Sequence, residues 1–210
     1  MSSERTLING GRKLVGVRLA DIISYAFSAP FFALLSLIII YIADSTAYSP
    51  LSGYIAILIG GFFLTVLPAA PIVLNVIKGD VDVFISDRKR RPKFYLYALL
   101  SYLVGAFISY ISKVKVLIII HLAYFFVTLS VMLITFKTKI SAHTSGITGP
   151  VTYIVYFLGP MYTVLYLITI PVAWARIKLE AHTPQQTISG AIIAIVITFL
   201  TCYFITRVLT

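Results

Sequence analysis

Long apolar runs constrain this chain more than any other feature. Stretches at about 24–43, 54–77, 95–111, 116–136 and 187–205 each have the roughly 17–25 residues that a helix needs to cross a bilayer. In lipid every backbone N–H and C=O must be satisfied within the protein, so runs of this length are helices. The composition agrees: 60% of the 210 residues are hydrophobic and 11% are charged. A soluble domain carries about 25% charged residues, so this chain cannot cover a water-facing globule. The expected fold is all-α, a polytopic transmembrane helix bundle of about six to seven spans.

The stretch 147–175 is long enough for one tilted span, but Gly159-Pro160 interrupts it near its middle. Glycine loosens the backbone there, while proline removes a donor and fixes φ. The expectation is two shorter spans, about 144–158 and 161–175, joined by a tight turn, for a total of seven. The first span is expected to be retained: it is full length, and Asp44-Ser45-Thr46 behind it is not a small-x-small cleavage site. Residues 1–19 read as a basic cytoplasmic segment and 20–210 as one membrane-embedded domain.

The seven-span reading gives the charge a direction. Of the 17 Lys and Arg residues, 14 fall on the side of the N-terminus, and Lys113, Lys115 and Arg207 fall on the other. The positive-inside rule then places the N-terminus and the loops near 78–93, 137–146 and 176–186 in the cytoplasm of a cell-membrane protein. A formal net charge of +10 would suit a nucleic-acid partner in a soluble protein. Here anionic lipid accounts for it, and no nucleic-acid partner is expected. A single cysteine, Cys202, excludes an internal disulfide and a thiolate metal cluster.

Ionisable residues are almost absent from the spans. His121, in the fourth, reads as a neutral imidazole hydrogen-bonded to a neighbouring helix. Without a midplane carboxylate or cation, an ion-coupled transporter is disfavoured. Chemistry is expected at the cytoplasmic rim, where three polar segments converge: Asp87-Arg88-Lys89-Arg90-Arg91-Pro92, Lys139-Ile140-Ser141-Ala142-His143, and Arg176 to Gln186.

Arginine presents a planar, permanently charged fork that matches phosphate oxygens, which suits Arg88, Arg91 and Arg176 to holding a phosphoryl group. Helix N-termini add N–H donors and partial positive charge. Thr183 is a candidate N-cap with Pro184 at the first helical position, which puts His182 just ahead of a helix start. Ser141 is likewise a candidate cap for the fifth helix, with His143 in its first turn and Lys139 just before it, and Ser141 and Lys139 are expected to join the arginines in binding phosphate. One imidazole can attack phosphorus while a second protonates the departing oxygen. Gln186, four residues after His182, can accept from the ring and fix its tautomer. The competing reading of Arg176 is a solvated i,i+4 pair with Glu180. Asp80 and Asp82 could ligate Mg²⁺, but no second acidic cluster completes such a site.

Ser141-x-His143 resembles the serine-x-histidine core of the second motif of the phosphatidic acid phosphatase type 2 superfamily. Arg176 and His182 have the spacing of its third motif, and Arg91-Pro92 is similar to the end of its first. The resemblance covers roughly residues 87–190. It implies an integral-membrane lipid phosphatase that works without a metal or cofactor through a phosphohistidine. In that scheme His182 is the nucleophile, His143 the general acid, and Arg91 and Arg176 bind phosphate. Its implied substrate is a membrane lipid or isoprenoid mono- or diphosphate. The motif-one lysine position holds Phe84; Arg88, three residues before Arg91 and on the same helical face, is the expected substitute. The motif-two glycine is Ala142, and the motif-three aspartate is Gln186. A phosphotransferase using the same site and a catalytically silent lipid-phosphate binding or transport protein are the alternatives. Gly146 and Gly149 are expected to permit close helix packing, and Trp174 to anchor at the interface.

Overall fold

A computed structural model describes residues 16–209, which form eight helices with no strand among them. They are α1 (Gly16–Ala26), α2 (Ala29–Ala43), α3 (Gly53–Ile77), α4 (Arg91–Ile111), α5 (Lys115–Thr135), α6 (Ala142–Leu158), α7 (Pro160–Lys178) and α8 (Pro184–Leu209). Five of these, α3, α4, α5, α7 and α8, are long and apolar enough to cross a membrane. The bent pair α1 and α2 counts as a sixth span if taken together. At 17 residues α6 is slightly shorter. The protein is thus a multi-pass helical membrane protein.

The expected first span, about 24–43, is not continuous. The chain bends by 53° between α1 and α2. Ser28, the cap of α2, is extended (φ −68°, ψ 148°), and Pro30, in the first turn of α2, has no N–H to carry the helical ladder back to Ala26. The expected segment boundary at residue 19 likewise falls inside α1, while Arg5, Arg12 and Lys13 lie outside the described residues.

The break at Gly159-Pro160 is realised as expected. Gly159 takes φ 101°, open to glycine and strained for other residues, and α6 ends at Leu158. The chain reverses into a 3₁₀ stretch, Pro160–Ile168, that continues as α7. Both ends of this hairpin therefore return to one side. In α3 a π-helical turn, Phe62–Val66, precedes Pro68, which has no N–H to continue the α ladder. Ser101 Oγ donates to the Phe63 carbonyl at 2.6 Å, so the altered turn is satisfied by a neighbouring helix.

α4 packs on α5, α6 packs on α8 and α2, and α5 also meets α8. Leu37, Ile40, Leu117, Ile120, Tyr153 and Ile154 form the core. Leu58, Phe107 and Ile170 are among many large apolar side chains that face outward. Such an exterior is stable only against lipid. His121 is fully buried; its Nδ1 donates to the Leu117 carbonyl at 2.8 Å, and the ring packs against Gly105. Trp174 is exposed on α7, near the end that carries Arg176.

Candidate functional site

The connection between α3 and α4 is folded tightly around Asp82. Its carboxylate accepts from Phe84 N (3.1 Å), Ser86 N (2.7 Å) and Ser86 Oγ (2.9 Å). Burial pushes this carboxyl up, but the bonds from Ser86 and Phe84 outweigh it and hold it below the usual carboxylate range. The knot forces Ile85 into the left-handed region (φ 47°), an uncommon place for a β-branched residue. The Ile85 carbonyl then accepts from Arg91 Nε at 2.8 Å, which fixes the guanidinium at the start of α4. Asp82 is thus committed to the loop.

Ser141 caps α6. Its Oγ accepts from Thr144 N at 3.3 Å, and its N–H donates to the Gln186 carbonyl at 3.2 Å. Three further hydroxyls bind α6 to α8: Thr144 to the Thr187 carbonyl, Ser145 to Gly190 and Thr148 to Ala191. Gly190 makes this approach possible, since a Cβ there would lie 2.6 Å from the Ser141 carbonyl oxygen. His143, in the first turn of α6, hydrogen-bonds the backbone of Ser24 in α1. Its Nε2 is buried with no partner.

At the end of α7 the Arg176 carbonyl accepts from Ala181 N (3.1 Å) and His182 N (3.2 Å), while Glu180 N donates to Ile177. This is a Schellman closure with Glu180 at the left-handed position, φ 53°. The turn carries His182 back over Arg176 and takes Glu180 out of the helix. The competing reading, an i,i+4 pair of Arg176 with Glu180, is therefore not realised, and Arg176 Nε and Nη1 are buried without partners.

Gln186 has two duties. Its Oε1 accepts from His182 Nδ1 (3.2 Å) and from Thr183 N (3.2 Å), while Thr183 Oγ1 accepts from Gln186 N (3.3 Å). Thr183 and Gln186 thus form a capping box at the start of α8, and the same oxygen sets the tautomer of His182. Burial is the main cause that pushes the His182 ring down to about 4. The positive charges of Arg91, Arg176 and Lys139 act the same way, and the bond to Gln186 opposes them. At neutral pH the ring is uncharged, with Nδ1 donating and the Nε2 lone pair free.

Arg91, Arg176 and His182 are exposed by only 5%, 2% and 6%. Among the described residues neither arginine is in an ion pair; the pair found joins Arg90 to Asp87 at the surface. Phe84 completes the cluster: its ring centre lies 4.6 Å from the Arg176 guanidinium carbon and 5.2 Å from the His143 ring centre. Beneath them a cavity of about 350 Å³ runs into the bundle, with Arg91, Arg176, His143 and Phe84 in its wall.

The structure therefore brings together Arg91, His143, Arg176, His182 and Gln186. Two expectations are corrected. Arg88 does not stand in for the missing lysine: it lies in a 3₁₀ turn before α4, and its Nη1 donates to the Thr135 and Phe136 carbonyls (3.1 and 3.2 Å), closing the end of α5. Ser141 Oγ is engaged in capping rather than aimed into the cluster. Lys139, half-buried, acts on His182 through its charge. Sequence reasoning missed the placement of Phe84 and Ser24, which only tertiary folding of the α3–α4 loop and α1 could supply.

Searches against protein-family models, curated proteins and solved structures gave no match for this chain.

Proposed function

We propose that the protein hydrolyses a phosphate from a membrane lipid or isoprenoid mono- or diphosphate, at a site on the cytoplasmic side of the cell membrane. One observation carries this reading: two buried arginines that form no salt bridge among the described residues, with Asp21 and Asp82 acting on Arg176 only at longer range, stand beside two histidine rings. Burying unpaired charge costs several kcal/mol per ion, and a bound phosphate would offset that cost.

In this mechanism Arg91 and Arg176 hold the phosphoryl oxygens. His182 Nε2 attacks phosphorus and the P–O bond to the leaving group breaks; Gln186 holds the proton on Nδ1. The arriving anion raises the proton affinity of His143, which takes up a proton and passes it to the departing oxygen. Water then attacks the phosphohistidine, His143 accepts its proton, and inorganic phosphate leaves. Purified protein should release phosphate from such lipids in EDTA, and His182→Ala should abolish the release. Release that survives this substitution, or that needs added Mg²⁺, overturns the mechanism.

Gln186 and Phe84 favour one second reading, a silent lipid-phosphate binding protein. A neutral amide stabilises a developing imidazolium less well than a carboxylate, and Phe84 already lies on Arg176. Binding of lipid phosphates without release from any of them would select it.

A further inference from the structure

The cavity beneath the cluster has a polar mouth, one open side and a closed end. On α4 its wall runs from Arg91 to Tyr102, and on α6 from Ala142 to Tyr153. Each stretch covers twelve residues, and its eleven rises of 1.5 Å give a depth of about 16 Å. At the deep end Tyr102, Tyr124 and Tyr153 close it. Their rings meet at 5.4 Å (Tyr102 with Tyr124) and 6.3 Å (Tyr124 with Tyr153), and each is less than a tenth exposed. The Tyr153 hydroxyl is held by Ser36, which fixes the floor to α2.

Of the residues in the wall, Tyr25, Val73 and Val83 are exposed. They lie on α1, on the C-terminal half of α3 and on the loop that follows, all near the mouth. The exposed part of the wall therefore lies between α1 and the end of α3 and is apolar, a surface over which a hydrocarbon chain could enter from lipid. We propose that this cavity is a length-limited site for a single hydrocarbon chain, entered from the bilayer between α1 and α3 and closed by Tyr102, Tyr124 and Tyr153. An extended chain advances about 3.3–3.6 Å per three bonds, so this depth holds about 13–14 bonds. Phosphates with one chain of that length fit with the headgroup at Arg91 and Arg176. Longer chains and two-chain lipids do not. The headgroup placement rests on the phosphate reading above.

Competition in lipid nanodiscs tests this without requiring turnover. Full-length protein is loaded with radiolabelled dodecyl phosphate. It is then challenged with equal mole fractions of decyl, tetradecyl and octadecyl phosphate and of a phosphatidate with two tetradecanoyl chains. Tetradecyl phosphate should compete best, with octadecyl phosphate and the phosphatidate roughly tenfold weaker or more, the penalty of overpacking a fixed cavity. Ala98→Phe, one helical turn above the floor, should shift the optimum to decyl phosphate, and Tyr102→Ala should admit octadecyl phosphate. Opposite shifts from two substitutions cannot arise from misfolding. Equal competition by tetradecyl and octadecyl phosphate in the unaltered protein overturns the proposal, even if both variants fail to fold. A chain-length limit without phosphate release leaves this inference standing and removes the hydrolase; release without a limit does the reverse.

Discussion

The Arg176 guanidinium carbon lies over the face of Phe84, 4.6 Å from its ring centre, and the same ring meets that of His143 edge-on. An aromatic ring at that distance attracts the cation and excludes water from one face, a contribution of about 0.5–2 kcal/mol. Phe84→Ala should therefore loosen Arg176 and weaken phosphate binding by about 2- to 30-fold. Phe84→Trp should preserve binding. Measured KM values for phosphate release, or Kd for a non-hydrolysed phosphonate, check this. Tighter binding in Phe84→Ala would mean that the ring blocks the arginine instead of supporting it.

Gln186 Oε1 serves the helix cap and His182 at once, so charge and reach can be separated there. Gln186→Glu keeps the length, preserves the capping box and replaces a neutral acceptor with a charged one. Charge-assisted hydrogen bonds are roughly twice as strong as neutral ones, so the step that builds positive charge on His182 should accelerate by about tenfold. Gln186→Ala loses both duties: the melting temperature should fall by the equivalent of about 1 kcal/mol for the cap, along with phosphate release. A Gln186→Glu protein with unchanged kcat would remove His182 as the group that develops charge.

The bundle was legible because lipid imposes simple rules: apolar length marks spans, and Gly159-Pro160 marks a reversal. Pro30 carried the signal for the α1–α2 bend, but the apolar pattern runs through it and hides the break. Arg91, His143, Arg176, His182 and Gln186 were legible because each sits at a helix terminus or in a turn whose local rules place it. Arg88 was misread because three-residue spacing from Arg91 puts the two on one face only if the helix has begun, and it has not. Phe84 could not be placed from sequence, since its position depends on the Asp82 knot and on packing against α1 and α7.

His182 lies between α7 and α8, and its protonation links activity and stability to pH. In the unfolded chain the ring takes a proton near pH 6.5; in the folded protein it does so at about 4. Between these values the unfolded chain holds more protons, so folding stability falls as pH falls through the window and is complete above it. The contribution of this residue is roughly 3 kcal/mol. Melting temperatures of the unaltered protein should decline from pH 6.5 to 4 more steeply than those of His182→Gln. Parallel curves would show that burial does not depress the ring's proton affinity.

Gly190 sets the distance between the two helix starts that carry the histidines. A Cβ at this position would lie 2.6 Å from the Ser141 carbonyl oxygen and 2.7 Å from Thr144 Oγ1. The first is backbone and cannot swing aside, so α6 and α8 must separate. That weakens the bonds from Thr144 and Ser145 to α8 and moves His143 away from His182. Gly190→Ala should cost about 1–3 kcal/mol of stability and more than tenfold in phosphate release, because positional errors of an ångström are felt strongly in transfer chemistry. Gly149 offers the control, since its nearest neighbour, Thr198 Oγ1, stands 3.4 Å from a Cβ. Gly149→Ala should be tolerated by the fold, with thermal unfolding near that of the unaltered protein. Equal loss of stability from both substitutions would place the sensitivity in helix flexibility rather than in the α6–α8 approach.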